Sequence, residues 1–436
     1  MSTNDLMIKY KLKGNPRMGL VAATWGFFIG FAAVALYGPA AKEFKTIMHL
    51  SGAEVGLLVA APMLTGSLMR IPFGAWVDKA GGKKPLSILL GLGIVGMIGL
   101  SAILFTLYPD RLTSNYYPFI LLFGFLSGCG IATFSVGIPQ TSYWYPQSKQ
   151  GIALGLYGGL GNTAPGIFTI LLSFILPVLG LAHSYFIWLL LLTLGTLIYL
   201  YIAHDAYFFQ LVRKIGKDKA EEISKSLGQE LIPSGTVIES LKISAGKWRT
   251  WALVALYFTS FGGFLALTAW FPTYWRIFHG FGIREAGLLG GAGFSLLASF
   301  IRIYGGNISD RLGGEKVAIG SFSLVLIGAL FLTISSAFVP DFIGELFIGA
   351  GMGIGNAAVF KLVPRYVPES VGGASGWVGG LGAFGGFAVP PVLGVFVDRM
   401  GQIGYARGFI VYIALAIICI GISYLLISSR KNVKVA

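Results

Sequence analysis

Charge is scarce in this chain. Only 11% of its 436 residues are Asp, Glu, Lys or Arg, under half of the roughly 25% found in an ordinary soluble domain. So little charge cannot clothe a water-facing surface, which excludes a soluble enzyme, and the apolar content excludes a disordered chain. Acid is scarcer than base, with 18 Asp and Glu against 32 Lys and Arg. There are two cysteines, Cys129 and Cys419, in different apolar runs, and four dispersed histidines. Neither set has metal-ligand or CxxC spacing, so no metal and no cofactor are expected and the redox compartment stays unread. Dispersed His and two separate Cys also offer no nucleophile–base pair, so an enzyme is not expected. The opening MSTNDLMIKYKLKGNPR lacks an apolar stretch with a small-residue cleavage site, and no cleaved leader is expected.

Apolar residues fill the space that charge leaves. They make up 55% of the chain, with 63 Gly and 33 Phe. Apolar runs fall at 18–40, 53–77, 86–107, 116–139, 151–176 and 182–203, then at 251–275, 284–308, 316–337, 340–362, 372–396 and 405–427. Lipid offers the backbone no hydrogen bonds, so each run long enough to cross a bilayer must be a helix. The expectation is an all-α integral membrane protein of twelve transmembrane helices in two six-helix repeats. Its parts are a tail (1–17), a first bundle (18–203), a linker (204–250), a second bundle (251–427) and a closing tail (428–436). The net charge of +14 does not point to nucleic acid. The side holding the termini and the 204–250 linker carries 22 Lys and Arg and the other side 7, which predicts both termini in the cytoplasm. Membrane lipids are the expected surroundings, the plasma membrane the expected location, and a monomer the expected state.

The halves echo each other. Residues 66–84 read GSLMRIPFGAWVDKAGGKK and residues 298–316 read ASFIRIYGGNISDRLGGEK. A shift of 232 carries Arg70 to Arg302, Gly74 to Gly306 and Asp78 to Asp310. A second pair, GLYGGLGN (155–162) and GWVGGLGA (376–383), repeats in the same order. A six-helix unit used twice is a transporter construction with the substrate site between repeats. The element G-x-x-x-D-[RK]-x-G-G, at Gly74 to Gly82 and again at Gly306 to Gly314, resembles the signature loop of the major facilitator superfamily. Gly74 and Gly306 let helices approach, and Asp78 and Asp310 are expected to gate the cytoplasmic side by accepting bonds from a neighbouring helix terminus.

Arg70 and Arg302 are the most informative residues. Each stands 8 residues before its motif Asp, about 12 Å deep along a helix. A buried Arg faces a polar cavity or partner, yet the sequence shows no Asp or Glu at the middle of a span to pair with either. Two guanidiniums about 8 Å apart would repel by about 2 kcal/mol at an effective dielectric near 20. An anion that comes and goes would reverse that balance. The planar fork of each guanidinium suits a planar oxyanion such as nitrate, nitrite or a carboxylate. Gly151, Gly155, Gly158, Gly159, Asn162 and Gly166 share one helical face, as do Gly372, Gly376, Gly379, Gly380, Ala383 and Gly386. Such stripes let helices cross closely and slide, but packing alone does not explain the amide of Asn162.

Residues 132–166, ATFSVGIPQTSYWYPQSKQGIALGLYGGLGNTAPG, and 355–387, GNAAVFKLVPRYVPESVGGASGWVGGLGAFGGF, strongly resemble the two signature segments of the nitrate/nitrite porter family of the major facilitator superfamily. With one Arg in the second and one in the eighth run, the resemblance covers nearly the whole chain. It implies a planar anion between the two arginines, with aromatic rings above and below. On that resemblance Arg70 and Arg302 look like the anion clamp and Asn162 like the signature amide. Gly158, Gly159, Gly379 and Gly380 line the site, Tyr257 and Phe261 are the contacts from the seventh run, and Phe134 is the ring from the fourth. Tyr257, Phe261, Phe264 and Thr268 also share one helical face. Lys361 fits two roles, snorkelling to the mouth or attracting departing anions. The FKLVP segment around it resembles a branch associated with proton-coupled uptake, while the lack of a mid-span acid or His argues for nitrate/nitrite exchange. The function implied is a secondary transporter of nitrate and nitrite. Proton symport, antiport of another small anion such as formate or oxalate, and a nutrient sensor signalling through 204–250 are the alternatives.

Overall fold

The computed structural model describes residues 3–230 and 237–431. Helices and turns account for the described residues, without a strand. Eleven helical runs are long and apolar enough to cross a membrane. Spans 1 to 4 are Pro16–Ala35, Gly52–Ala80, Lys83–Leu107 and Ser114–Ser142. The next run, Lys149–Ile202, has 54 residues. That is about 80 Å of helix against a hydrocarbon core of about 30 Å. Gly180 breaks it with φ 71° and ψ 176°, a backbone that a side chain would strain. The run is therefore two passes, spans 5 and 6. Spans 7 to 12 are Trp248–Ile277, Ile283–Leu312, Gly314–Ile334, Phe338–Tyr366, Pro368–Arg407 and Ile410–Ser429. Twelve passes in two groups of six leave both termini on one face, called here the terminal face. The opposite one is the distal face.

Local chemistry sets where spans begin and bend. Asn15 caps span 1 by accepting from the Met18 amide at 2.9 Å, with Pro16 at the first helical position. Ser51 and Glu54 form a capping box at the start of span 2. Within span 2 the helix breaks at Met69. Pro72 has no N–H to give the Leu68 carbonyl, which loosens this turn. Span 5 breaks after Gly161, ahead of Pro165, and span 11 breaks between Leu381 and Gly385. Spans 7 and 8 carry π-helical stretches at Phe258–Gly262 and Leu289–Leu296.

The two bundles meet tightly towards the distal face. Asp398 of span 11 accepts from the amides of Gly52 and Ala53 at 2.5 and 2.8 Å, so it caps span 2 of the other bundle. Arg276 pairs with Glu43 at 2.7 Å and donates to the Pro39 carbonyl at 3.1 Å. Gly394 lies against Gly52, and Gly56 against Pro390, so closely that an added Cβ would sit 2.1 and 2.3 Å from backbone oxygens. Towards the terminal face the bundles part. A Cβ at Gly151, Gly155, Gly158 or Gly306 would meet nothing within 4 Å.

The described part of the linker forms three short helices, Tyr207–Ile215, Lys217–Ser226 and Val237–Ala245. The first is tied to the N-terminal tail, where Gln210 and Lys13 exchange bonds of 2.7 and 3.0 Å. The third packs on span 11, with Ser370 donating to the Ser240 carbonyl at 2.6 Å. Lys247 pairs with Glu369 at 2.9 Å.

Candidate functional site

The site residues gather where the helices are irregular. Arg70 begins the helix that follows the Met69 break, and its side chain is buried, 1% exposed. Its Nε donates to Gly66 O and one terminal nitrogen donates to Gly379 O across the bundle interface, both at 3.1 Å. The other terminal nitrogen, Nη2, is buried without a partner. Arg302 follows the π stretch of span 8, and its Nη1 is likewise buried without a partner. Among the described residues, neither arginine is paired with a carboxylate.

Both cations lie over the same two rings. The Arg70 guanidinium carbon is 4.9 Å from the Phe134 centroid and 5.0 Å from that of Phe261. For Arg302 the distances are 5.9 and 5.7 Å. The ring faces offset part of the cationic charge but accept none of the spare N–H groups. Phe134 and Phe261 stack on each other at 5.6 Å, and Tyr257 continues the stack at 5.0 Å from Phe261. The shared helical face of Tyr257 and Phe261 thus becomes a ring column under the arginines. Phe264 extends it 6.0 Å beyond Phe261.

Asn162 ends the first helix of span 5 and is 1% exposed. Its carbonyl accepts from Ser299 at 2.8 Å, one turn before Arg302. Both polar atoms of its side chain are buried and unpaired. Two unpaired charged donors and an unpaired amide thus lie buried beside the interface of the bundles. Leaving such groups unsatisfied costs about 1–3 kcal/mol each, and an oxyanion would satisfy them together. Asn162→Ala is expected to weaken binding of a small oxyanion by roughly tenfold, the worth of one hydrogen bond to a charged ligand. Equilibrium binding to the purified protein measures it, and unchanged affinity would remove Asn162 from the site.

The glycines divide. The Gly379 carbonyl contacts Arg70, and a Cβ at Gly380 would sit 2.7 Å from Ile71 of span 2. A Cβ at Gly159 would meet only Ile303, at 3.4 Å, and at Gly158 it would meet nothing. The span 5 stripe is close-packed at Gly166, against Gly291 and Leu296, and open at its terminal end. The motif carboxylates stay within their own bundles. Asp78 accepts from Tyr143 at 2.7 Å, and Asp310 pairs with Lys361. A Cβ at Gly74 would sit 3.3 Å from the Ser135 carbonyl oxygen, and one at Gly306 would meet nothing within 4 Å.

Several residues of the site are not singled out by the sequence. The Ser135 hydroxyl donates to the Arg70 carbonyl at 3.0 Å, and Tyr157 donates to the Phe134 carbonyl at 2.7 Å. Phe31 stacks on Phe261 at 6.3 Å, and Phe360 tilts against Tyr257 at 5.4 Å. Tyr157 lies inside the quoted GLYGGLGN segment, and its position there is the signal that marks it.

Two six-helix bundles closing on a buried cationic site define a secondary transporter, not an enzyme. The sequence profile of the Major Facilitator Superfamily matches residues 23–390. A probable nitrate/nitrite antiporter of Thermus thermophilus, NarK1, is 30% identical over 85% of this chain and 83% of its own. The nitrite extrusion protein of Bacillus subtilis is 27% identical over 87% of each chain. A probable nitrate/nitrite transporter of Mycobacterium tuberculosis, NarK2, is 29% identical over 92% of this chain and 93% of its own. The partially occluded, inward-open xylose transporter XylE of E. coli shares the fold with a TM-score of 0.69, covering 94% of this chain and 99% of that one at 13% identity. The chain belongs to the nitrate/nitrite porter family of the Major Facilitator Superfamily and is a multi-pass membrane protein.

Proposed function

We propose that this carrier moves nitrate and nitrite across the plasma membrane by alternating access, with the anion clamped between Arg70 and Arg302. The unpaired guanidinium nitrogens, Arg70 Nη2 and Arg302 Nη1, carry this reading. They are charged, planar in their geometry and without a protein acceptor, which suits a small planar oxyanion. The names of the relatives support the choice of nitrate and nitrite among such anions. On the charge count of the loops, the terminal face is cytoplasmic. The conformation described, closed distally and parted towards the termini, is then an inward-facing one.

The same charge sets the mode. Closing the bundles on two unneutralised guanidiniums raises their repulsion by a few kcal/mol as water leaves, and one bound anion offsets it. The loaded carrier therefore changes face more readily than the empty one, which makes nitrate-for-nitrite exchange the basic mode. Counterflow of labelled nitrate in proteoliposomes tests the reading. Nitrate or nitrite inside should accelerate uptake, with formate and oxalate as weak competitors. Absence of counterflow, or preference for the carboxylates, would refute it.

A further inference from the structure

The second bundle buries another set of ionisable groups, well away from the arginines. Asp341 and Glu345 lie one turn apart on span 10, and each has zero exposure. Asp341 Oδ2 accepts from the Tyr274 hydroxyl at 2.7 Å and lies 2.8 Å from His279 Nε2. Glu345 Oε2 accepts from the Trp275 indole at 2.9 Å. Each carboxyl keeps one oxygen, Asp341 Oδ1 and Glu345 Oε1, buried with no partner. The sequence places these residues near span ends, where water is expected. The aromatic residues of span 7 and of the loop after it close over them, since Trp275 and Phe281 pack on His279 and Phe338 packs on Trp275.

Among the described residues, no cation pairs with Glu345. On span 7 and the loop after it the neighbours are Tyr274, Trp275 and His279, while Arg276 turns away to Glu43 of the first bundle. Span 8 presents Gly293, where a Cβ would sit 3.8 Å from Glu345. Its Arg284 lies over the Phe174 ring, and Glu285 turns back on Gly282. Span 9 has ionisable residues only at its terminal end, Glu315 and Lys316. Arg407, at the end of span 11, donates to the Thr333 carbonyl at 2.6 Å. Tyr405 stacks on Trp270, and Tyr412 lies deeper, beside Gly263.

We propose that Asp341 and Glu345, reached through His279, form a proton-binding site in the distal half of the second bundle that couples net anion uptake to proton entry. An ionised carboxylate without water or a cation is among the costliest groups to hold inside a span, and a second one a turn away raises the cost. A proton bound by the pair removes it. The His279 side chain is 8% exposed and Asp341 not at all, so the imidazole is the route in from the distal face. The link to the anion site is short. Gly293, beside Glu345, precedes Phe294, which stacks on Phe264 at 5.9 Å, next in the ring column under the arginines. A proton enters from the distal face as the anion binds, and both leave when the terminal face opens. The inference rests on the anion-site reading above and adds a second mode to it. Exchange runs with the proton in place, whereas net uptake requires the proton to be lost and regained.

The test uses proteoliposomes with the membrane potential clamped by valinomycin and potassium. The wild-type carrier is expected to show nitrate counterflow and also nitrate accumulation driven by an inward proton gradient. Glu345→Gln should keep counterflow within about twofold and lose gradient-driven accumulation by at least about tenfold. Asp341→Asn should show the same split, and His279→Gln a slower approach to the wild-type level. Accumulation retained in Glu345→Gln overturns the proposal. So does wild-type counterflow without any gradient-driven accumulation. Parallel loss of both activities in the folded carboxyl variants would make the cluster structural and equally overturn it. Absence of counterflow in the wild type would instead refute the nitrate/nitrite reading.

Discussion

Nitrate uptake by the Arg70→Lys and Arg302→Lys carriers is expected to fall by roughly 100-fold, with the protein still folded. Lysine keeps the charge and loses the fork. A charge-assisted hydrogen bond is worth about 1.5–3 kcal/mol, so losing the paired geometry costs one to two factors of ten in affinity alone. Arg70 has a further duty that a lysine cannot perform. Its Nε and one terminal nitrogen already serve Gly66 and Gly379, which aims the remaining nitrogen into the site. An ammonium on a flexible stem cannot hold both carbonyls and the anion in those directions. Arg302→Lys lacks this positioning loss and should retain slightly more activity. Uptake in proteoliposomes, with circular dichroism as the folding control, measures both. Wild-type rates in either variant would remove the clamp.

A second large effect is expected at the distal seam. Gly394→Leu should reduce transport to background while nitrate binding to the purified carrier persists. The backbone oxygen of Gly52 would lie 2.1 Å from the new Cβ, so the bundles could meet there only by moving apart. Overpacking of this kind costs about 1–3 kcal/mol. A bias near 3 kcal/mol shifts a two-state equilibrium by more than a hundredfold. The carrier would then stay open on the distal side, able to load and unable to deliver. Full turnover by a folded Gly394→Leu carrier would show that the seam opens and closes elsewhere.

The frame of this protein was plain in its sequence because lipid leaves the backbone few choices. Each apolar run had to be a helix, and the repeat of Arg70 and Asp78 at Arg302 and Asp310 fixed how the halves correspond. The two buried arginines were equally legible, since arginine deep in a span with no acid in sight needs an explanation. The rings required the resemblance as well, because phenylalanine is too common here for Phe134 and Phe261 to stand out unaided. Phe31 and Phe360 were not legible for the same reason, and Ser135 because its part is a bond to backbone. The acids of span 10 were hidden for a different reason. Position in a run predicts depth only when the ends of runs are wet. Near Asp341 they are not, because the segment from Tyr274 to Phe281 folds over the end of the span. Lys361 lies within reach of the motif carboxylate of Asp310, a pairing its place in the run did not announce.

The widened turns at Phe258–Gly262 and Leu289–Leu296 have no counterpart in the first bundle among the described residues. A π turn holds one residue more than an α turn, and that extra residue need not stay where it is. If the wide turn slips along the helix by one position, the segment it passes rotates by about 100° without losing its ladder of hydrogen bonds. Phe261 lies in the first such turn, and Arg302 lies beyond the second. Two halves built on one repeat would then be unequal as machinery. On that slip the first bundle would hold Arg70, Phe134 and Asn162 fixed, and the second would swivel, re-aiming its ring and its cation by a single residue.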